Sequence, residues 1–323
     1  MKVKSRAVLG QISDMDLRLL RVFRAVADCG GMAAAELELN IGTSTVSRHI
    51  KDLETRLGLS LCRRGRAGFA LTAEGEQIYA QTTALLAATD AFRSGVDEIH
   101  QRMGGQLQLA VFDKTASNPA SRIAQAIALF AQQAPEVSLQ LHVATLNGIE
   151  RGVLDGQFHI GIIPGHRSTA SLDYMPLFSE DMRLYCGANY ALSLAQAEAL
   201  DWDGLRRHAF AGLGYHSPNM QISQHRRIPR RATGFDQESI ATLILSGQYL
   251  GFLPIHYARS FEQSGLLRAL RPDLFHYACE FFAIVRHAPQ PPRAARLFWS
   301  CLAQAHGASG ASCDVNEARR LEA

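Results

Sequence analysis

Apolar residues recur along this chain in two periods, and the change of period divides it. Between Gly42 and Gly58, in GTSTVSRHIKDLETRLG, Val46, Ile50, Leu53 and Leu57 fall at i, i+4, i+7 and i+11, the stripe of an amphipathic helix. The middle of the opposite face carries Ser44, Arg48 and Lys51, with Ser47 at its edge. Upstream, Leu17, Leu20, Phe23 and Val26 predict a first helix, which Gly30-Gly31 stops. Met32–Leu39 predicts a short second helix, with Ala34 and Ala35 small enough for a close crossing. Asn40 to Gly42 then turn into the polar-faced helix. This is helix-turn-helix order, with the second helix of the motif as reader. Arg63, Arg64 and Arg66, set among Gly65 and Gly68, predict a basic hairpin of the kind that touches phosphates.

From Thr72 to Met103 no proline interrupts. Thr72 suits an N-cap, and Glu74 and Glu76 suit the first turn of one long helix. Its seam of Ile78, Leu85, Ala88, Phe92, Val96 and Ile99 is too long to be buried by a solitary helix, which predicts pairing with a second copy. Gly104-Gly105 reads as a hinge. The pattern then alternates. Strands are expected at 106–112, 138–144 and 159–163, with helices at 119–134 and 149–154 between them. Such alternation implies a mostly parallel sheet covered by helices. Strands at 172–178 and 182–186 would cross into a second lobe built from 210–213, 237–245, 250–253 and 255–263. A strand at 280–286 would return, and a helix at 294–306 would close the domain. The resulting division is a flexible extension at 1–13, a winged helix-turn-helix at 14–71, a linker helix at 72–103, a two-lobed α/β domain at 104–306 and a disordered tail at 307–323.

Composition adds one fact. The chain has 33 basic and 30 acidic residues, a formal net charge of only +3, yet Gly42 to Ala70 holds six Arg or Lys against Asp52 and Glu54. A local excess beside a near-neutral remainder is an electrostatic footprint for nucleic acid. No apolar run reaches bilayer length, and the start lacks a signal-peptide core, so a cytoplasmic protein without membrane association is expected. The six cysteines (Cys29, Cys62, Cys186, Cys279, Cys301, Cys313) show neither CxxC pairs nor metal spacing. Nothing in the pattern calls for a cofactor or a metal. The nucleophile, metal and phosphate-loop motifs of enzymes are missing, so the chain is read as a non-enzyme.

The N-terminal third resembles the LysR-type transcriptional regulators. The resemblance rests on Leu20 and Phe23, Ala34-Ala35, Val46-Ser47-Arg48, Leu53-Glu54, Leu57-Gly58, Leu71-Thr72 and Gly75. Gly42 and Thr43 depart from the Ser and Gln common in the family, and Cys62 from Phe. The resemblance implies an antiparallel linker-helix dimer and an effector domain with the two βα lobes of a periplasmic binding protein. It also implies a homodimer or homotetramer on double-stranded operator DNA, a small-molecule effector, and RNA polymerase as a partner if the protein activates. Thr43, Ser44, Ser47, Arg48, Lys51, Arg63, Arg64 and Arg66 are the candidate DNA contacts.

Candidate effector contacts are loop residues beyond the carboxyl ends of strands. They are Lys114, Thr115 and Ser117 after the first strand, Thr145 and Asn147 after the second, and Pro164 and His166 after the third. Tyr215, His216, Ser217, Phe235, Gln237 and Pro254 come from the second lobe. Helix N-termini and hydroxyls there fit a small polar metabolite, a carboxylate being one group they receive. Three other readings stay open: a repressor acting by occupancy without effector, a redox-responsive regulator, and a binding protein or enzyme with a vestigial DNA domain.

Overall fold

The structure is a computed structural model that describes residues 10–65, 68–99, 104–215 and 217–307. The expectations for 1–9, Arg66, the linker-helix end at 100–103, His216 and 308–323 lie outside the described residues. The chain divides into two compact units. The first holds residues up to Arg93 together with Asp155–Gln157, the second Ser94–Leu154 and Phe158 onward.

The first unit opens with α1 (Asp14–Asp28), α2 (Met32–Leu39) and α3 (Thr43–Leu57). Ser13 starts α1 with a capping box, its hydroxyl and N–H both engaged with Asp16. The buried face of α1 is Leu19, Val22, Phe23 and Val26. That stripe is rotated from the expected one, because Leu17 and Leu20 lie half-buried at its flank. On α2, Ala35 is fully buried and Ala34 exposed. Asn40 takes the left-handed conformation that ends α2 and turns the chain into α3. Val46, Ile50 and Leu53 of α3 pack without exposure against α1 and Leu61. Strands β1 (Cys62–Gly65) and β2 (Gly68–Leu71) form the expected antiparallel hairpin.

Thr72 then caps α4 (Ala73–Ile99) by accepting the Gly75 N–H at 2.8 Å. A Cβ on Gly75 would lie 2.0 Å from the Leu61 carbonyl oxygen. Only glycine lets the helix start against the chain that leads into the hairpin. Along α4, Ile78 packs onto the first unit's core, whereas Phe92 is 74% exposed. No helix among the described residues is long and apolar enough to cross a membrane.

In the second unit, β3 (Gln106–Val111), α5 (Ile123–Gln133), β4 (Ser138–Val143), α6 (Leu146–Leu154) and β5 (Ile160–Pro164) form a parallel βαβαβ layer ordered β4-β3-β5. The helix expected from Pro119 begins four residues later. A 3-10 turn at Thr115–Ser117 precedes it, and the Asn118 side chain accepts the Ala120 N–H at 2.9 Å, holding Asn118-Pro119 in a turn. The two strands expected between 172 and 186 are one, β6 (Leu172–Gly187).

The second lobe follows as α7 (Leu194–Glu198), α8 (Trp202–Leu205), β7 (Phe210–Leu213), α9 (Pro218–His225), β8 (Arg230–Gly234), α10 (Gln237–Leu245), β9 (Gly251–Pro254), α11 (Ile255–Gln263) and β10 (Leu267–Ala269). Strand β11 (His276–Arg286) returns, and α12 (Arg293–His306) closes on α5. β11 runs antiparallel between β5 and β6, and β9 and β10 also pair antiparallel with β6. The expectation of a mostly parallel sheet therefore holds for the first lobe's βαβ core and fails at the crossovers. A strand that returns from the other lobe enters the sheet from the opposite direction.

Gly75→Ala should force the Leu61 carbonyl and the start of α4 apart, at a cost of about 1–3 kcal/mol. Urea unfolding of the first unit's helical signal would register this as a lower midpoint with an unchanged slope.

Candidate functional site

On α3 the polar face is open. Ser44, Arg48 and Lys51 are exposed, and Thr43 and Ser47 are half-buried. Among the described residues no ion pair involves Arg48 or Lys51, so both cations face outward. The Thr43 hydroxyl is turned back to the Glu36 carboxylate on α2, which pins the helix start in place of a side-chain cap from Gly42. His49 is buried, and burial beside Arg18 and Arg48 pushes its pKa down, favouring neutral imidazole.

Two carboxylates hold this face in position. Asp16, 1% exposed, receives Arg56 of α3 through both oxygens, with Nη2 at 2.9 Å from Oδ2. The Arg56 and Ser13 hydrogen bonds pull its pKa down to about 2. Glu54 accepts the N–H groups of Leu61 and Cys62 at 2.7 and 3.2 Å, tying α3 to the first strand of the hairpin. Arg63 of that strand is exposed; Arg64 lies next to it on the same strand.

In the second unit the candidates separate into groups. Thr145 and Asn147 are exposed, and Phe235 is 58% exposed. His166 is buried with Nε2 3.4 Å from Glu150, which also receives Arg167 at 3.1 Å. Burial alone would raise the Glu150 pKa, but His166 and Arg167 outweigh it and hold the carboxylate low. Lys114 is paired with Glu238 and sits 4.6 Å from the ring centroid of Tyr257, whose hydroxyl also donates to Glu238 at 2.9 Å. Thr115 is buried in the 3-10 turn and Pro254 at the end of β9.

Pro164, Tyr215, Ser217 and Gln237 converge on one cavity of about 20 Å³, closed in by Phe112, Phe281, Tyr277, Cys279 and Glu180. Ser217 caps α9 and Gln237 opens α10, so both helix starts face this point. The backbone N–H of Gln237 is taken by Asp113 Oδ2 at 2.8 Å, a carboxylate at a helix N-terminus. The other oxygen, Oδ1, is buried and has no hydrogen-bond partner among the described residues, as have the Tyr215 hydroxyl and Gln237 Oε1. Burial outweighs the Gln237 bond and pushes the Asp113 pKa up to about 6.

Glu180, buried in β6, lies 2.6 Å from His256 Nε2, a contact that requires a proton between them. The His256 Nδ1 is 3.0 Å from the Ser117 hydroxyl. Burial raises the Glu180 pKa and the His256 hydrogen bond opposes the rise.

Asp113, Glu180 and His256 were not selected by sequence. Asp113 sits in the loop that was selected, and its carboxylate was the available signal. Glu180 gives none, because its meeting with His256 spans 76 residues. A larger depression, about 430 Å³, opens on the surface beside Thr233, Asp236 and Thr242.

Residues 17–76 match the family described as "Bacterial regulatory helix-turn-helix protein, lysR family", and residues 100–307 match "LysR substrate binding domain". The chain is 39% identical over 283 residues to the HTH-type transcriptional activator BauR of Pseudomonas aeruginosa, covering 88% of this chain and 93% of that one. It is 27% identical over 245 residues to the probable HTH-type transcriptional regulator LrrA of Synechococcus elongatus, covering 74% and 81%. Among solved structures it resembles CbnR, described as a LysR family transcriptional regulator, with a TM-score of 0.57 at 19% identity over 90% of this chain and 99% of that one. The full-length CbnR complexed with its target DNA gives 0.56 at the same identity and the same coverage. At that identity the likeness is one of fold.

The raised Asp113 pKa makes its ionised form a cost to the folded state. Stability from the neutral form is present below pH 4, the unfolded value, and is lost as pH rises through about 6. Asp113→Asn, which keeps an acceptor for the Gln237 N–H, should therefore raise the unfolding temperature of the second unit at pH 7.5 by a few degrees and leave it nearly unchanged at pH 4. Equal shifts at both pH values would assign the effect to packing.

Proposed function

The chain belongs to the LysR family of DNA-binding transcriptional regulators, and we propose that it switches operator occupancy or geometry in response to a small polar effector held between the lobes of its C-terminal domain. The domains are an operator-binding head at Asp14–Leu71, a dimerising linker helix at 72–103 and an effector domain at 104–306.

What carries the DNA half is the α3 face. One side is buried without remainder at Val46, Ile50 and Leu53, and the other presents Ser44, Arg48 and Lys51 outward. A rod of this kind in the major groove reads base edges with Ser44, Ser47 and Arg48, while Lys51, Arg63, Arg64 and Arg66 neutralise phosphates. Thr43 is engaged with Glu36, so a base contact there requires that bond to break. The exposed Phe92 and Val96 of α4 support pairing of two copies, which would set two heads on a partly palindromic site. A homodimer or homotetramer in the cytoplasm, contacting RNA polymerase where it activates, completes the reading.

The effector half rests on the small cavity at the strand ends, which Tyr215, Ser217, Gln237, Phe112 and Pro164 line together. The space holds only one water-sized group, so a metabolite would bind an arrangement with the walls further apart. The shift would come from its different affinities for the two arrangements and would pass through Gly104-Gly105 to the heads. Repression by occupancy alone is the competing reading. The unpartnered polar atoms of the cavity favour a ligand-responsive domain.

Arg48→Ala should cost about 1–3 kcal/mol of operator affinity and relax preference at one base position, while Arg63→Ala should weaken all sequences alike and lower the salt slope by about 1. Quantitative binding to an operator and its single-base variants separates the two, and a unique base effect from Arg63 would reverse the assignment. A thermal-shift screen of the full chain against metabolites of every charge class addresses the cleft. A hit whose stabilisation is blunted by Thr115→Val or Ser117→Ala, with DNA binding spared, supports it. Hits indifferent to both substitutions would move the effector elsewhere.

A further inference from the structure

The buried polar atoms left unpartnered at the cavity wall and in the Asp113 loop beside it are mostly acceptors. Asp113 Oδ1 and Gln237 Oε1 are acceptors, and both are buried without a partner among the described residues. The Tyr215 hydroxyl shares that condition, with Tyr215 5% and Gln237 4% exposed. The three belong together. The Gln237 N–H donates to Asp113, Tyr215 packs edge-on against Phe112, the residue before Asp113, at 6.1 Å, and Tyr215 and Gln237 line the same cavity.

Among the described residues no side chain lining the cavity is a lysine or arginine. Among the described residues Lys114 is engaged with Glu238 and Arg230 with the Leu213 carbonyl, and the His256 imidazole contacts Glu180. A second carboxylate, Glu180, and several aromatic rings complete the wall. Buried acceptors left unpaired are costly, and a carboxylate ligand would add acceptors and negative charge to a site already rich in both. A primary ammonium has three donors, no acceptor and a positive charge that aromatic faces also attract.

Taking the cleft as the effector site, as put forward above, we propose that the effector is a small organic amine whose protonated ammonium donates to Asp113 Oδ1, Gln237 Oε1 and the Tyr215 oxygen. The anionic head group suggested by the helix N-termini is thereby replaced. The Gln237 N–H at one of those helices is engaged by Asp113, so a carboxylate of the protein already stands where an anion would sit at that helix start. A cavity of about 20 Å³ holds one group the size of water or ammonium. The ammonium is the anchor, and the rest of the molecule lies toward the cleft mouth.

The test uses full-length protein and two probes of one shape and opposite charge, n-propylammonium chloride and sodium propionate, with sodium chloride as the ionic-strength control. Thermal unfolding is followed at pH 7.5 at concentrations up to about 100 mM, because fragments of this size bind weakly. A saturable rise in unfolding temperature with propylammonium is expected, with propionate matching sodium chloride. Asp113→Asn should weaken the apparent affinity by about tenfold or more, the loss of a charge-assisted bond, and Tyr215→Phe by a smaller factor. The unliganded unfolding temperature of each variant verifies that it is folded.

Propylammonium stabilisation unchanged in both variants would overturn the assignment, as would no stabilisation at any concentration, which would leave the acceptors to bound water. Propionate stabilisation lost in Thr115→Val would overturn the ammonium while leaving the cleft as effector site. The metabolite screen judges the cleft itself, since any hit blunted by Thr115→Val or Ser117→Ala supports it whatever its charge.

Discussion

The second unit depends on the ladder between β6 and β11. The two strands pair antiparallel from Leu172 opposite Arg286 to Arg183 opposite His276, long enough to run from one lobe into the other. The register shifts between Phe281 and Phe282, and Phe281 and Glu180 line the cavity beside that shift. Every buried N–H and C=O along a crossover must be paired, and pairing the crossovers with each other meets that demand without a second covering layer. The loop after β5 is tied to the same place, because the Gly165 N–H donates to the Glu280 carbonyl at 2.7 Å. A ligand that changes the lobes' angle must work against this ladder.

The first unit solves a smaller problem with charge. A reading helix is useful only if its outer face is held in register with the hairpin beside it. Asp16 joins the cap of α1 to Arg56 near the end of α3, and Glu54 joins α3 to the backbone at Leu61 and Cys62. Both carboxylates sit on the inner side of the domain, and among the described residues Arg48 and Lys51 remain exposed without an ion pair. The net charge of +3 conceals this sorting. What matters for a polyanion is which face carries the excess.

In the cleft the sorting runs the other way. Lys114 and Arg167 are paired with Glu238 and Glu150, and the His256 and His166 imidazoles lie against Glu180 and Glu150, while Asp113, Gln237 and Tyr215 are left with unused hydrogen-bonding capacity. The loop residues that share this position have different fates. Tyr215, Ser217, Gln237 and Pro164 meet at the cavity, Lys114 is locked in an ion pair, His166 lies against Glu150, Thr115 and Pro254 are buried in the fold, and Ser117 meets His256. Thr145, Asn147 and Phe235 face solvent. Position after a strand does not distinguish these fates, since it specifies which end of the sheet a residue occupies and not which way its side chain turns.

Sequence by itself determined what local periodicity and backbone chemistry control. The α3 stripe, the Thr72 cap, the hairpin glycines, the βαβ rhythm of the first lobe and the family motif were all legible, because each depends on residues within a few positions of one another. The rotated face of α1 was missed, since its inner stripe is chosen by what α3 and Leu61 offer it. The uninterrupted β6 and the antiparallel crossovers were missed as well. A polar stretch such as Ser179-Glu180-Asp181 reads as a break until a partner strand across the sheet satisfies it. Only the tertiary structure brought Asp113 to the start of α10, 124 residues away, and His256 to Glu180. Burial and pairing set the charge state of such groups, and both are properties of the assembled fold, so the chemistry of the cavity was decided there.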